Sequence, residues 1–468
     1  MKKFSLTRRS FIKKTSVGLA GAALTVTGAS SLYGNVFKNA SALAIQGGTP
    51  VRNKPFPSSW PIFDETEEKA LNAALRSGRW CCIGATQVAD FEKEFAKAHN
   101  VPYCVATNGG TDALYTCLQV LDIAPGDEVI TTPTTFIATV NIICNSHALP
   151  VFIDIDPETG HANNDLLESL ITEHTKAIIP VHLGGYPEDI ERIISIANKH
   201  NIPVVEDACQ SLFAEVNNKK VGTFGILGCI SFQETKCMSS GGEGGAIISS
   251  NEELMNRCGA FVNNGRDPKR EKRGYPYPGS NFRMTELQGA VAKVQFERFK
   301  KQHEIRGKNG DYLTEKITQI PGIKKPKRIY PSTTRVTYYY PTLFDYNREE
   351  LKNVPASKFA EAVRAEGIPI ILGRSPDVSG KTRGAMGGGC NKEGMIEEHL
   401  KSRAFQVSFS KERLEKYRES LNLAVLDNYK GREILAIQGK NAFLGPKEDI
   451  SDIIEAMTKV AKNIDKLA

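Results

Sequence analysis

The sequence predicts an α/β fold, with a mostly parallel sheet in a large domain and a smaller C-terminal α+β domain. Three observations carry this. Between about residues 101 and 248, short apolar runs alternate with amphipathic helical stretches, the pattern of strands joined by helices that cover both faces of a sheet. Polar and glycine-rich residues follow the strand ends, where ligands sit in such folds. Roughly 420 residues remain after an N-terminal leader, enough for two or three domains.

Taken in order, the chain opens with Thr7-Arg8-Arg9-Ser10-Phe11-Ile12-Lys13 and a run of small and apolar residues from Val17 to Leu32. This resembles a twin-arginine export signal, which implies an exported, periplasmic or extracytoplasmic protein. The alternatives are a basic arm or a membrane anchor, but the apolar run is short and glycine-rich for a spanning helix. Ala42-Leu43-Ala44 offers a small-x-small cleavage site, with another possible near Ser30, so the leader is assigned to residues 1–44. Of the net charge of +7, the leader contributes seven Lys or Arg and no Asp or Glu, and subtracting them leaves the remainder neutral. The basic excess belongs to the leader, and nucleic-acid binding loses its main support.

Ten cysteines lack CxxC pairs or metal-ligand spacing, and Cys104, Cys117, Cys144, Cys209 and Cys229 lie in apolar patterns that read as buried thiols. No metal site is expected. Phe63–Arg76 and Ala89–Asn100 read as helices. A strand at Val101–Thr107 then runs through Asn108-Gly109-Gly110-Thr111 into a helix whose Leu114, Cys117, Leu118 and Leu121 share one face. A glycine turn entering a helix is a ready anion site, because free amides and the helix dipole both favour a phosphate, although many such turns bind nothing. A strand ends at Phe136, helical text follows to about His147, and further strands cover Pro150–Asp154, Ala177–His182 and Ile202–Asp207. The helix between the last two spans Pro187–His200.

The organising stretch is Ser231-Phe232-Gln233-Glu234-Thr235-Lys236, an apolar strand leading to one lysine, followed by Gly241, Gly242, Gly244 and Gly245. A partly buried lysine amine is a nucleophile whose common covalent role is a Schiff base with an aldehyde, pyridoxal 5'-phosphate (PLP) foremost, whereas most lysines are solvated surface charges. Thr111, Phe136, His182, Asp207 and Lys236 all fall at or just after strand ends. Asp207 is then either a surface acid or helix cap, or the group that keeps a PLP ring nitrogen protonated.

Further segments complete a pattern: Pro125–Ile130, Thr134–Thr139, Pro180–Gly185, Glu206–Gln210, Val221–Gly225 and Gly279–Gln288. From about Ile45 to the C-terminus the chain resembles the DegT-type PLP-dependent sugar aminotransferases of fold type I, in the aspartate aminotransferase superfamily. The resemblance implies that Lys236 forms the Schiff base and moves protons, and that Asp207 pairs with the pyridine nitrogen. Gln210 would sit near the ring oxygen, Phe136 would stack on the ring, and Gly110, Thr111 and Ser231 would hold the phosphate. Asn281 would reach the phosphate of a neighbouring subunit, which implies a homodimer. It further implies PLP as cofactor, a glutamate or glutamine donor, a keto-sugar or keto-cyclitol acceptor, a PLP-binding domain at 45–290 and a small domain at 291–468.

Two departures bear on substrate: Asn263-Asn264-Gly265, where His often precedes the glycine, and the stretch from Gly373 to Lys401, which matches nothing in the pattern. His182 is open between a structural histidine and a substrate contact. A related dehydratase would carry histidine in place of Lys236, and a non-catalytic sugar-binding descendant would not need Lys236 and Asp207 together.

Overall fold

The computed structural model describes residues 42–56, 60–325, 327, 330–338, 342–372, 389–427, 433–437 and 442–468. The leader to residue 41 and most of the glycine-rich run at 384–389 therefore lie outside the described residues.

The large domain is built on β1 (Tyr103–Thr107), β2 (Glu128–Thr131), β3 (Leu149–Phe152), β4 (Thr175–Ile179) and β5 (Val205–Asp207), and on β8 (Leu227–Ser231) and β9 (Gly245–Ser249). Between β5 and β8, the small hairpin β6 (Glu215–Val216) and β7 (Lys219–Lys220) lies apart from the main sheet. One group of strands runs β1-β9-β8-β5 and another β3-β2-β4. Parallel bridges Ile178↔Val204 and Val181↔Asp207 join β4 to β5, giving one continuous sheet. Only β9 runs against the other six strands, pairing antiparallel with both β1 and β8. The sheet is thus mostly parallel, as the alternation of strand and helix text requires.

Each central strand is apolar on both faces because helices cover both. In β4, Ala177 and Ile179 enter one core and Ile178 the opposite one, the two-residue period of a strand. One face is covered by α3 (Gly110–Val120), α4 (Ile137–Asn145) and α6 (Glu252–Val262). The other is covered by α2 (Gln87–His99), α5 (Ile190–Lys199) and the first half of α7 (Glu286–Ile317), with α1 (Glu65–Arg76) packed outside on α7. Helix α7 starts with a capping box, Thr285 and Gln288 satisfying each other's backbone amides.

The second half of α7 places Leu313 and Ile317 in the core of the small domain. There β10 (Ile323–Lys324), β12 (Thr342–Tyr346), β14 (Glu433–Ile437) and β13 (Ile370–Leu372) form an antiparallel sheet in that order, and β11 (Thr333–Arg335) extends the β6–β7 hairpin. Helices α8 (Ala356–Ala365) and α13 (Lys447–Lys462) cover the small sheet. The segment with no place in the family pattern ends in α9 (Gly394–Lys401). With α10 (Arg403–Ser408), α11 (Lys411–Ser420) and α12 (Ala424–Asp427) it forms a helical wing on the large domain, where Phe405, Leu414 and Tyr417 pack with Val140, Cys144 and Phe152.

Candidate active site

The strand ends and α3 enclose a cavity of about 630 Å³ lined by Gly110, Thr111, Phe136, Asp207, Gln210, Ser231 and Lys236. Seven of the eight site residues expected from the sequence therefore meet in one place. Asn281 is the exception: it is exposed, bridges to Asn263 and does not line this chain's own cavity.

One end of the cavity is an anion cradle. Helix α3 begins at Gly110, so the amides of its first turn have no intrahelical acceptors, and Gly109 before it is fully extended. Ser231 at the end of β8 lies so near that a β-carbon on Gly110 would fall 2.7 Å from Ser231 Cβ and 3.2 Å from Cys209 Sγ. Glycine is needed at 110 for this approach, not for an unusual backbone angle. Asn108 also lines the cavity, and its buried Oδ1 has no hydrogen-bond partner among the described residues.

Asp207, 5% exposed at the tip of β5, lines the same cavity. Its Oδ2 accepts the Thr139 hydroxyl at 2.8 Å and its Oδ1 accepts the Cys209 amide at 3.1 Å. Burial, reinforced by the Asp207 charge, pushes the Cys209 thiol well above its ordinary range although Lys236 opposes the shift, so a neutral thiol flanks the carboxylate. Thr139 carries no role in the sequence reading. It sits one turn into α4, three residues after Phe136, a helical spacing that was the available signal. The Gln210 Oε1 accepts the Gly184 amide at 2.8 Å, which leaves its NH₂ group as the donor for the cavity.

Lys236 stands in a loop held at several points. Its amide donates to Gln233 O at 2.8 Å, Glu234 N–H donates to Gly242 O at 2.8 Å, and the Trp60 indole donates to Glu234 O at 2.6 Å. Phe136 is 52% exposed, an unusual state for a phenylalanine and one that leaves a ring face open to a flat ligand. The turn before it is clamped by the wing: Cys390 N–H donates to Pro133 O at 2.7 Å and Cys390 Sγ donates to Thr135 O at 3.3 Å.

His182 is structural. It is fully buried, its Nδ1 accepts the Glu188 amide at 3.0 Å, and Nε2–H donates to Glu206 Oε2 at 3.0 Å. Glu206 also takes the amides of Gly222, Phe224 and Gly225, so the pair organises the loop beneath the site without lining the cavity. At the rim, burial and the nearby Glu243 charge both raise the Asp112 carboxyl above its ordinary value.

An amide-and-hydroxyl cradle for a phosphate, a buried carboxylate, an open aromatic face and a lysine in one cavity fit PLP. They define a PLP-dependent enzyme of fold type I. Residues 61–370 match the DegT/DnrJ/EryC1/StrS aminotransferase family, and the chain belongs to it as a PLP-dependent aminotransferase. Among relatives, an L-glutamine:2-deoxy-scyllo-inosose aminotransferase of Streptomyces kanamyceticus is 32% identical over 448 residues, covering 90% of this chain and 97% of that one. A pleiotropic regulatory protein of Geobacillus stearothermophilus is 36% identical over 280 residues, 58% of this chain and 74% of that one. Among solved structures, an aminotransferase from Psychrobacter cryohalolentis superposes with a TM-score of 0.70 at 27% identity, covering 88% of this chain and 100% of that one.

Proposed function

We propose that this aminotransferase moves an amino group from glutamine or glutamate to a keto-sugar or keto-cyclitol, and that it acts as an exported homodimer. The observation that carries the reaction is the placement of Lys236, the Thr139-anchored Asp207 and the Gly110–Ser231 cradle around one cavity. The acceptor class is supported by the relatives that act on 2-deoxy-scyllo-inosose.

PLP, when bound, supplies an aldehyde for the donor's amine and a ring that withdraws electrons from its α-carbon. Asp207 would hold a proton on the ring nitrogen, and the Thr139 and Cys209 donors keep that carboxylate in place. The Lys236 amine takes the proton from the donor's α-carbon. Gly110, Thr111 and Ser231 would hold the PLP phosphate.

The homodimer reading rests on Asn281, exposed and outside its own chain's cavity, which suits a residue serving a neighbour. Export rests on Arg8-Arg9 and the residues around them. Among the described residues no helix is long and apolar enough to cross a membrane. The test of the reaction is the visible spectrum of purified protein with and without PLP beside a Lys236→Ala variant, followed by a panel of ketones with glutamine. A cofactor band that the variant lacks, with turnover on a cyclitol or sugar ketone, is the expected result. Tight sugar binding with no PLP band would instead make the chain a binding protein. Mixing Asn281→Ala with Lys236→Ala subunits tests the dimer: recovered activity means that Asn281 acts across it.

A further inference from the structure

The folded enzyme begins earlier than a small-x-small motif at 42–44 allows. Leu43 is fully buried in the small domain's core, with Ile453, Met457 and Phe359 in the same cluster. Its carbonyl accepts the amides of Gln46 at 2.9 Å and Gly48 at 3.0 Å. The Ala44 amide donates at 2.9 Å to Glu366 Oε1, a carboxylate that is itself fully buried. The other oxygen of Glu366 takes the Val51 amide at 3.0 Å and the Lys459 ammonium at 2.9 Å, while Arg52 pairs with Asp449 and Asp452, each at 2.7 Å. Residues 43–52 are thus a strap knitted into α8 and α13. Cleavage after Ala44 would remove the Leu43 side chain from the core and one donor from a buried carboxylate, both costly losses.

Ala42 is different. It is partly exposed and makes no hydrogen bond among the described residues. In the sequence it is the third residue of Ala40-Ser41-Ala42, an A-x-A pattern of the kind a signal peptidase reads. We propose that the processing site is the Ala42–Leu43 bond, so that Leu43 is the first residue of the mature enzyme. Water adds across that amide, leaving a carboxylate on Ala42 and an amino group on Leu43. Nothing that holds the strap is lost. This rests on the export reading above.

The test starts from the full chain, expressed in a twin-arginine-competent host and recovered from outside the cytoplasm, by intact mass and N-terminal sequencing. The expected N-terminus is Leu43. Ala42→Phe, which blocks a small-residue cleavage position, leaves the precursor mass, whereas Ala44→Phe is still processed at Leu43. An extracytoplasmic chain beginning at Ile45, or near Ser30, overturns the site while leaving export intact. A chain found only inside the cell with its leader overturns export and the site together. Chains produced without the leader supply a readout independent of transport. One starting at Leu43 keeps the Tm of the processed enzyme, and one starting at Ile45 melts several degrees lower. Equal Tm values would overturn the structural argument.

Discussion

Two buried histidines make the large domain acid-sensitive. His99, at the end of α2, and His303, in α7, are each 2% exposed and flank Phe213, with ring centroids 5.1 Å and 5.8 Å from it. His99 Nδ1–H donates to Phe95 O at 2.8 Å, and Nε2 of both rings has no partner among the described residues, so a proton arriving there meets aromatic carbon instead of an acceptor. Burial, with Lys220 nearby, pushes His99 down to about 4. Burial, with Arg335, Arg306 and Lys220, pushes His303 down to about 3. Both folded values lie below the ordinary 6.5, so the unfolded chain binds protons first. The stability these rings contribute is complete above pH 6.5 and is lost as pH falls toward 4 and 3. At pH 5 the difference is about 2 kcal/mol per ring, or ~4 kcal/mol together, a large part of a typical stability of roughly 5–15 kcal/mol. Urea unfolding followed by circular dichroism at pH 7.5 and 5, for the natural chain and for His99→Leu with His303→Leu, isolates this contribution from that of the carboxylates. The double variant is expected to be less stable at pH 7.5, through the lost hydrogen bonds, but to lose ~4 kcal/mol less between the two pH values. Parallel losses in the two proteins would refute the reasoning.

Thr139→Val removes the hydroxyl that holds Asp207 at 2.8 Å; titration with PLP followed by absorbance should show cofactor binding weaker by roughly 10- to 150-fold, the worth of one hydrogen bond to a charged group. Cys390→Ala removes the thiol's hydrogen bond to Thr135 O while the backbone bond to Pro133 O stays, and the same titration should show a roughly twofold to tenfold loss that Cys390→Ser restores in part. Arg52→Ala leaves Asp449, 3% exposed, without its guanidinium partner, and unfolding free energy should fall by about 3–5 kcal/mol with the PLP spectrum unchanged under native conditions.

The parts of the site that could be read from the chain are those where one short segment does one job. The glycine turn at Asn108–Thr111, the strand-end Asp207 and Lys236 before its glycines each announce a chemistry locally, because a strand end leaves its last residue at a predictable edge of the sheet. Thr139 did not announce itself. Its hydroxyl matters only because α4 brings it to β5, 68 residues further along the chain. His182 carried the same strand-end signal as Asp207, yet the Glu188 amide and Glu206 turn it into the core instead of the cavity. The wing was opaque for a similar reason: charged helical text from Gly394 to Ser420 says nothing of the surface that will receive Phe405 and Tyr417.

Periodicity alone determined the alternation of strands and helices, since two-residue and helical spacings are set by backbone geometry and need no partner. It determined, too, that a lysine, an acid and a glycine turn stand at or just after strand ends. The reversed strand β9, the cavity that gathers those ends, the clamp of Cys390 on the turn before Phe136, and the burial of Leu43 beneath α8 and α13 were decided by tertiary structure. Each depends on contacts between segments tens to hundreds of residues apart, whose energies come from shared burial and from hydrogen bonds that no single segment can form by itself.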